Sequence, residues 1–130
     1  MGSIPYLAYA DAPAAITFLS AAFGFVETFR MDQDDGTVGH AELTAGPTAD
    51  DGVVYLATAW RAAGQAPPSE LGGTHGQVVV RVADVDAHHA RARAAGATIA
   101  AEPADQPYGE RVYRAVDPEG HRWIFTSGPR

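Results

Sequence analysis

The chain has 130 residues, a length that suits one domain with a buried core of its own. Hydrophobic residues make up 46% and charged residues 19%, as in globular proteins, and the net charge of −7 disfavours binding to nucleic acid or to an anionic membrane surface. There is no cysteine, no apolar run of about 18 residues and no signal-peptide pattern, so we expect a cytoplasmic protein without disulfides, thiol chemistry or a membrane span.

The first half of the chain predicts a strand, a helix and three more strands. Residues 4–10 are the first strand candidate. Asp11 then supplies a helix N-cap, Pro13 suits the first helical turn, and Gly24 ends the helix. Turns rich in Asp and Gly separate the three strand candidates that follow, at 25–31, 37–45 and 53–59.

The second half repeats this order. Residues 77–83 predict a strand, Asp84 or Asp86 caps a helix, and Gly96 ends it. Three strand candidates follow, at 98–102, 110–116 and 121–126, the last two joined by an Asp-Pro-Glu-Gly turn. Proline and glycine pairs mark residues 61–74 as a linker. The sequence therefore predicts one α+β domain, 1–130, of two βαβββ units at about 1–60 and about 75–130.

Two such units can form curved sheets with helices on the convex faces and a cleft on the concave side. Side chains alternate between the two faces of a strand. Val78, Val80 and Val82 should therefore meet a helix, and Trp123 and Phe125 should lie in the core. The same alternation predicts the residues that face the cleft: Ile4, Tyr6, Tyr55, Gln77, Val79, Arg81, Arg111, Tyr113, Arg122 and Ile124.

Polar and aromatic residues outside this set are further candidates. His40 and Glu42 share one strand face and form either a solvated or mutually hydrogen-bonded pair or a ligand contact. Trp60 and Tyr108 lie on predicted loops at the rim of the cleft. The other histidines, including His88 and His89 on an expected exposed helix face, join no recognised metal-binding spacing.

Several short sequence motifs occur in an order that indicates a known family. They are residues 7–11, 15–18, 22–24, 82–86, 94–97, 108–109 and 117–123. In order and spacing they resemble the vicinal oxygen chelate superfamily of glyoxalases, bleomycin-resistance proteins and dioxygenases. The resemblance covers essentially the whole chain and implies the paired βαβββ fold.

The resemblance also implies where a metal would be held. Metal-dependent members carry one ligand, usually His or Glu, on the first and last strand of each unit. The four corresponding positions here are Ile4, Tyr55, Gln77 and Ile124, none of which is a His or a carboxylate. We therefore expect a metal-free member without a cofactor, of the bleomycin-resistance kind.

These considerations lead to a functional hypothesis. The resemblance implies a homodimer that sequesters a bulky aromatic, DNA-damaging antibiotic without changing it, with no catalytic residues. The alternatives are a glyoxalase- or dioxygenase-like enzyme acting on a small metabolite, and a sensory or carrier domain for an aromatic ligand. The expected ligand-binding residues are Tyr6, His40, Glu42, Tyr55, Trp60, Gln77, Tyr108, Arg111, Tyr113 and Ile124.

Overall fold

A computed structural model describes residues 2–128; Met1, Pro129 and Arg130, which fall within the predicted units, lie outside the described residues. Unit one contains β1 (Tyr6–Tyr9), α1 (Ala12–Phe23), β2 (Val26–Asp32), β3 (Val38–Thr44) and β4 (Val53–Thr58). The connection holds a short helix, α2 (Pro68–Leu71). Unit two contains β5 (Val78–Arg81), α3 (Val85–Ala94), β6 (Thr98–Asp105), β7 (Arg111–Val116) and β8 (Arg122–Ser127). None of the helices described is long and apolar enough to cross a membrane.

The two long helices begin and end on the residues that the sequence marks. The side chain of Asp11 accepts a hydrogen bond from the backbone N–H of Ala14, and Gly24 ends α1 in the left-handed conformation. In unit two Asp84, and not Asp86, is the N-cap, since its side chain accepts from the backbone N–H of Ala87. Local capping therefore accounts for where both helices begin, and a left-handed glycine for where α1 ends.

Each unit forms one four-stranded sheet with the same strand order. The orders are β1-β4-β3-β2 and β5-β8-β7-β6, and in each sheet the first and last strands of the unit pair in parallel. The remaining neighbours are antiparallel. This topology confirms the predicted α+β class and the duplicated βαβββ unit.

One continuous core joins the two units. Helices α1 and α3 contact each other, and a single cluster of buried residues draws on both helices and both sheets. Trp123 and Phe125 are fully buried in it, as predicted, and Val80 lies in it with Val78 and Val82 packed against its edge. Each sheet therefore has one face on the shared core and one open face.

The segment between the units is more ordered than a plain linker. It forms the helical turn α2, whose Ser69 N–H donates to the backbone carbonyl of Glu119 on the turn before β8. Arg61 and Glu70 pair across the segment. The prolines that marked residues 61–74 as a linker in fact start a helix, because proline suits a first helical turn.

A buried carboxylate ties unit one to unit two. Asp117, on the turn before β8, accepts the Tyr9 hydroxyl at 2.6 Å and the Trp123 indole N–H at 3.1 Å through one oxygen. Its other oxygen accepts the backbone N–H groups of Glu119 and His121. Burial and the charge of Asp117 hold the pKa of Tyr9 well above its usual value, so this phenol remains a donor.

Two residues of α3 satisfy the carbonyls at the end of α1. The Arg91 guanidinium donates to the carbonyls of Ser20 and Ala21, and the Nε2 of His88 lies 2.9 Å from that of Phe23. The other nitrogen of His88 accepts the hydroxyl of Tyr113 at 2.7 Å. The expectation that His88 lies on an exposed face is therefore wrong: it is half-buried between the units, its ring against that of Phe125, and burial lowers its pKa.

We expect Asp117→Ala to lower the free energy of unfolding by about 3 kcal/mol, because it leaves the buried hydroxyl of Tyr9 and the indole N–H of Trp123 without an acceptor. Urea unfolding followed by circular dichroism measures this. Asp50→Ala removes an equally charged but exposed side chain and should change stability by less than about 0.5 kcal/mol. Equal effects of the two substitutions would contradict this role of Asp117.

Acidification should destabilise the fold through His88. Burial lowers the pKa of His88 below its ordinary 6.5, opposed by the Phe23 carbonyl and aided by the charge of Arg91. The unfolded chain therefore binds a proton first, and stability that is complete above pH 6.5 falls as the pH drops below it. Urea titrations between pH 5 and 7 should show this slope in the wild type and in His75→Gln, and a weaker slope in His88→Phe.

Candidate ligand-binding site

The open face of the first sheet carries a row of large side chains. In register across β1, β4, β3 and β2 lie Tyr6, Tyr55, Glu42 and Phe29. Their neighbours in sequence, such as Leu56 and Leu43, point to the core and are fully buried. Tyr6 and Phe29 remain 55% and 50% exposed, so the row presents aromatic surface that the chain itself does not cover.

His40 lies at the centre of this aromatic surface. Its ring centroid is 4.8 Å from that of Tyr55, 5.4 Å from that of Tyr6 and 6.0 Å from that of Phe29. The contact with Tyr55 is edge to face, a favourable arrangement for two aromatic rings. Three rings thus hold the imidazole in one orientation.

A chain of hydrogen bonds runs through this imidazole. His40 Nε2 lies 2.8 Å from a carboxylate oxygen of Glu42, and His40 Nδ1 lies 2.7 Å from the hydroxyl oxygen of Tyr6. Because a carboxylate only accepts, Nε2 carries the proton and Nδ1 accepts the hydroxyl hydrogen of Tyr6. The lone pairs of the Tyr6 oxygen are then free to accept a donor from a ligand.

The phenol of Tyr6 stays protonated near neutral pH. Burial, then the charge of Glu42 and the neighbouring Tyr55, raise the pKa of Tyr6 above its ordinary value. The hydroxyl is therefore a stable donor to His40 and a neutral acceptor towards solvent. Of the two alternatives left open for His40 and Glu42, the structure shows the mutual hydrogen bond, and with it a third member on β1.

A depression of about 730 Å³ adjoins this aromatic surface. Tyr6 and Trp60 stand at its side, and the small residues Ala8, Gly39 and Ala57 lie along it. The hairpin between β2 and β3 adds polar groups, among them Gln33 and Thr37. Its volume is within the range of small-molecule sites, and it combines aromatic walls with a few polar groups.

The four positions at which the family holds its metal do not fit one here. Tyr55 and Ile124 lie on the open faces of their sheets, as predicted; Ile4 lies two residues before β1, and Gln77 directly precedes β5. Two aliphatic side chains offer no lone pair, and a phenol and an amide are weak ligands. Within residues 2–128, no group of three or more His, Asp or Glu side chains is arranged to hold an ion.

The predicted cleft positions on β7 are wrong. Tyr113 pairs with Phe125 on the core face, stacks on its ring at 5.0 Å and is fully buried. Arg111, on the same face, reaches over the start of α3 and makes a bidentate ion pair with Asp86. Val112 and Arg114 face the open side instead, opposite Thr126 and Ile124.

The remaining predicted residues divide between the two sheets. Trp60 is 67% exposed and lines the depression beside Tyr6. Tyr108 lies on the turn between β6 and β7 in unit two and does not line this depression. The structure thus brings together Tyr6, His40, Glu42, Tyr55 and Trp60, and places Gln77 and Ile124 on the other sheet.

Sequence reasoning missed Phe29 and the small residues beside Tyr6. Phe29 lies on β2 next to a register shift, which breaks the simple alternation of faces. The alternation of side chains along the strand therefore did not predict that Phe29 faces the open side. Ala8 and Ala57 pair across β1 and β4, on the same face as Tyr6 and Tyr55, and only the register shows that the two alanines lie side by side. The recurrence of alanine two residues after each tyrosine was the available signal.

Known proteins resemble this chain in sequence, in fold or in both. Uncharacterized protein Mb0911c of Mycobacterium bovis is 38% identical over 122 residues, which span 92% of this chain and 78% of that protein. TioX from Micromonospora sp. ML1 is 34% identical, with a TM-score of 0.77 over 100% of this chain and 98% of that one. Glyoxalase I from Zea mays, at 20% identity, shares the fold over 96% of this chain and 43% of its own, with a TM-score of 0.74.

The family resemblance rests on almost the whole chain. The sequence model of the Glyoxalase/Bleomycin resistance protein/Dioxygenase superfamily matches residues 4–125. That range runs from two residues before β1 into β8, and so includes both βαβββ units. The chain therefore belongs to the Glyoxalase/Bleomycin resistance protein/Dioxygenase superfamily.

Proposed function

We propose that this protein binds a bulky aromatic small molecule on the open face of its first sheet and releases it chemically unchanged. The observation that carries the proposal is the cluster of Tyr6, Tyr55 and Phe29 around His40, next to a depression of about 730 Å³. Flat apolar ligands gain from stacking on such rings, by about 0.5–1.5 kcal/mol for each good contact beyond the area buried.

The polar groups of the cluster determine which hydrogen-bonding groups and charges the site favours in a ligand. The Tyr6 oxygen is an acceptor, since its hydrogen is engaged with His40. A ligand that carries an N–H or O–H donor beside its aromatic body therefore suits this face better than one with acceptors only. Glu42 and the net charge of −7 favour neutral or cationic ligands there.

We propose that the biological role of this binding is protection against a toxic compound. The family that the chain belongs to includes bleomycin-resistance proteins. Binding a toxic aromatic antibiotic stoichiometrically would confer resistance or self-protection and would need no metal. The four aliphatic, phenolic or amide positions at the metal-binding places support a binding role over chemistry on a metal-chelated substrate.

The hydrogen-bonded chain Glu42–His40–Tyr6 favours a second candidate function, an enzyme that uses acid–base chemistry. A proton taken from a substrate by the Tyr6 oxygen would be balanced by transfer of the Tyr6 hydrogen to His40 Nδ1. The imidazolium so formed would be stabilised by Glu42 at 2.8 Å. Tyr6 thus serves either function, through its ring in the first and its hydroxyl in the second.

We expect Tyr6→Ala to weaken binding of an aromatic ligand about tenfold, because the variant loses one stacking wall. Quenching of tryptophan fluorescence by bleomycin-like, mitomycin-like and enediyne compounds measures binding, since Trp60 lines the depression whereas Trp123 is buried. Tyr55→Ala should weaken binding as well. Tyr108→Ala, which removes a ring of similar exposure in unit two, should leave it unchanged.

Tyr6→Phe separates the two candidate functions. Under the binding proposal the variant retains most of its affinity, and mass spectrometry recovers the ligand unaltered after long incubation. A product that forms with the wild type and is lost in Tyr6→Phe would instead establish the enzyme. If none of the aromatic compounds binds the wild type, the proposed function is wrong.

We further propose that the protein is a homodimer. The open faces expose Tyr6, Phe29, Met31 and Val79, each by half or more of its surface, and a second copy could cover this apolar area. Light scattering should give a mass of about 27 kDa, twice the 13.6 kDa of one chain. A particle of the single-chain mass at micromolar concentration would contradict it.

A further inference from the structure

A second hollow lies where the edge strands β1 and β5 of the two sheets meet, and it adjoins the aromatic depression at Tyr6 and Leu7. It is a groove of about 380 Å³, and Leu7 of β1, Val78 of β5 and helix α2 all line it. A neighbouring hollow of about 430 Å³ shares Gln77 and Arg122 with it. Since Gln77 and Arg122 line both, we treat the two as one site and call it the edge groove.

The charge of the edge groove is opposite to that of the whole molecule. The chain has 16 acidic residues and a net charge of −7. Yet none of the described residues that line the two hollows is an Asp or a Glu. Arg122, in contrast, lines both hollows, together with His75, and His121 lines the groove. An anion is therefore favoured here by its nearest neighbours, against the average field of the protein.

The pairing of the arginine side chains also points to the edge groove. All nine basic residues of the chain are arginine. Of those within residues 2–128, Arg114 and Arg122 alone are held neither by a carboxylate nor by the carbonyls at a helix end. An arginine without such a partner keeps its full capacity to bind an oxyanion.

The register brings these two arginines to one spot. Arg114 lies opposite Ile124 on the open face of β8, and Arg122 lies on the same face two residues before Ile124. The Arg114 guanidinium reaches across β8 to the side-chain oxygen of Gln77, at 3.3 Å. That contact brings Arg114 to the edge groove through Gln77, which lines both hollows together with Arg122, and because the amide oxygen accepts it, the N–H groups of Gln77 remain available.

The other wall of the edge groove is apolar. Pro68 and Leu71 of α2 line it together with Leu7 and Val78, and Leu71 is 67% exposed. The loop before β5 contributes Gly73 and Gly76, at which no atom lies within 4 Å of an added side-chain carbon. A ligand can therefore approach the loop backbone closely while its apolar part rests on α2.

We propose that the edge groove is a binding site for an organic oxyanion, namely a carboxylate attached to an apolar body. The planar guanidinium groups of Arg122 and Arg114 match the planar carboxylate, and the Gln77 amide adds a third donor. The apolar body packs against Leu71 and Pro68. The edge groove shares Tyr6 and Leu7 with the aromatic depression, but Gln77 and Arg122 line only the edge groove, and neither proposal requires the other.

Titration with benzoate, followed by the side-chain N–H resonances of arginine and glutamine, tests the proposal. Saturable shifts are expected at Arg114, Arg122 and Gln77, and not at Arg93 or Arg111. Benzamide has the same shape without the charge and should bind at least about tenfold more weakly. Linear, non-saturating shifts, equal shifts at all arginines, or equal binding of benzamide would overturn the site.

Two matched variants locate the charge responsible. Arg122→Gln should weaken benzoate binding by about tenfold or more. Arg93→Gln removes the same charge from the surface of α3, where Arg93 pairs with Glu102, and should leave the titration unchanged. Equal losses in both variants would show that only net charge matters and would overturn the site. The aromatic compounds that test the proposed function are titrated separately, so each hypothesis fails on its own data.

Discussion

The carboxylate of Asp117 is the interaction on which the arrangement of the two units depends. It is buried and accepts four hydrogen bonds. Two come from the buried side chains of Tyr9 and Trp123, which would otherwise have no partner. The other two come from backbone N–H groups of the turn before β8 and hold that turn in place. One donor, Tyr9, belongs to unit one and the others to unit two, so the Asp117 carboxylate links the two halves of the chain directly. Glu119, on the same turn, adds contacts to the backbone N–H groups of Ala10 and Asp11.

With the units joined through helices and turns, the opposite faces of both sheets stay open, and they differ in character. The first is aromatic and carries His40 hydrogen-bonded to the carboxylate of Glu42; the second carries three arginines, at 81, 114 and 122. A duplicated unit has thus kept one backbone and diverged in its open-face side chains. Tyr6 lines both the aromatic depression and the edge groove, so the two hollows share a wall.

The elements could be predicted because their ends are marked by residues with strong local preferences, such as Asp11, Asp84 and Gly24. The alternation of side chains along each strand placed Tyr55, Trp123 and Ile124 on the correct faces, because fully buried side chains such as Leu56 and Trp123 alternate there with less buried ones. It failed on β7, where Val112 and Tyr113 are adjacent and both buried, and only the pairing with Phe125 decides between them. The pair His40 and Glu42 was visible at its i, i+2 spacing, but the contact with Tyr6 depends on the register of three strands and could not be read from the sequence.

The hydrogen bonds of His40 also determine how the protein would meet a reactive electrophile. The chain has no thiol and no side-chain amine, the two side-chain groups most readily alkylated or acylated. Imidazole is the next nucleophile, but one nitrogen of His40 carries the proton bound to Glu42, and the lone pair of the other receives the Tyr6 hydrogen. The phenol of Tyr6, with its raised pKa, is a poor nucleophile near neutral pH. An alkylating molecule held against Tyr6 and His40 would therefore encounter an imidazole and a phenol that are both poor nucleophiles, and the exposed thioether of Met31 would be the group on this face most open to attack.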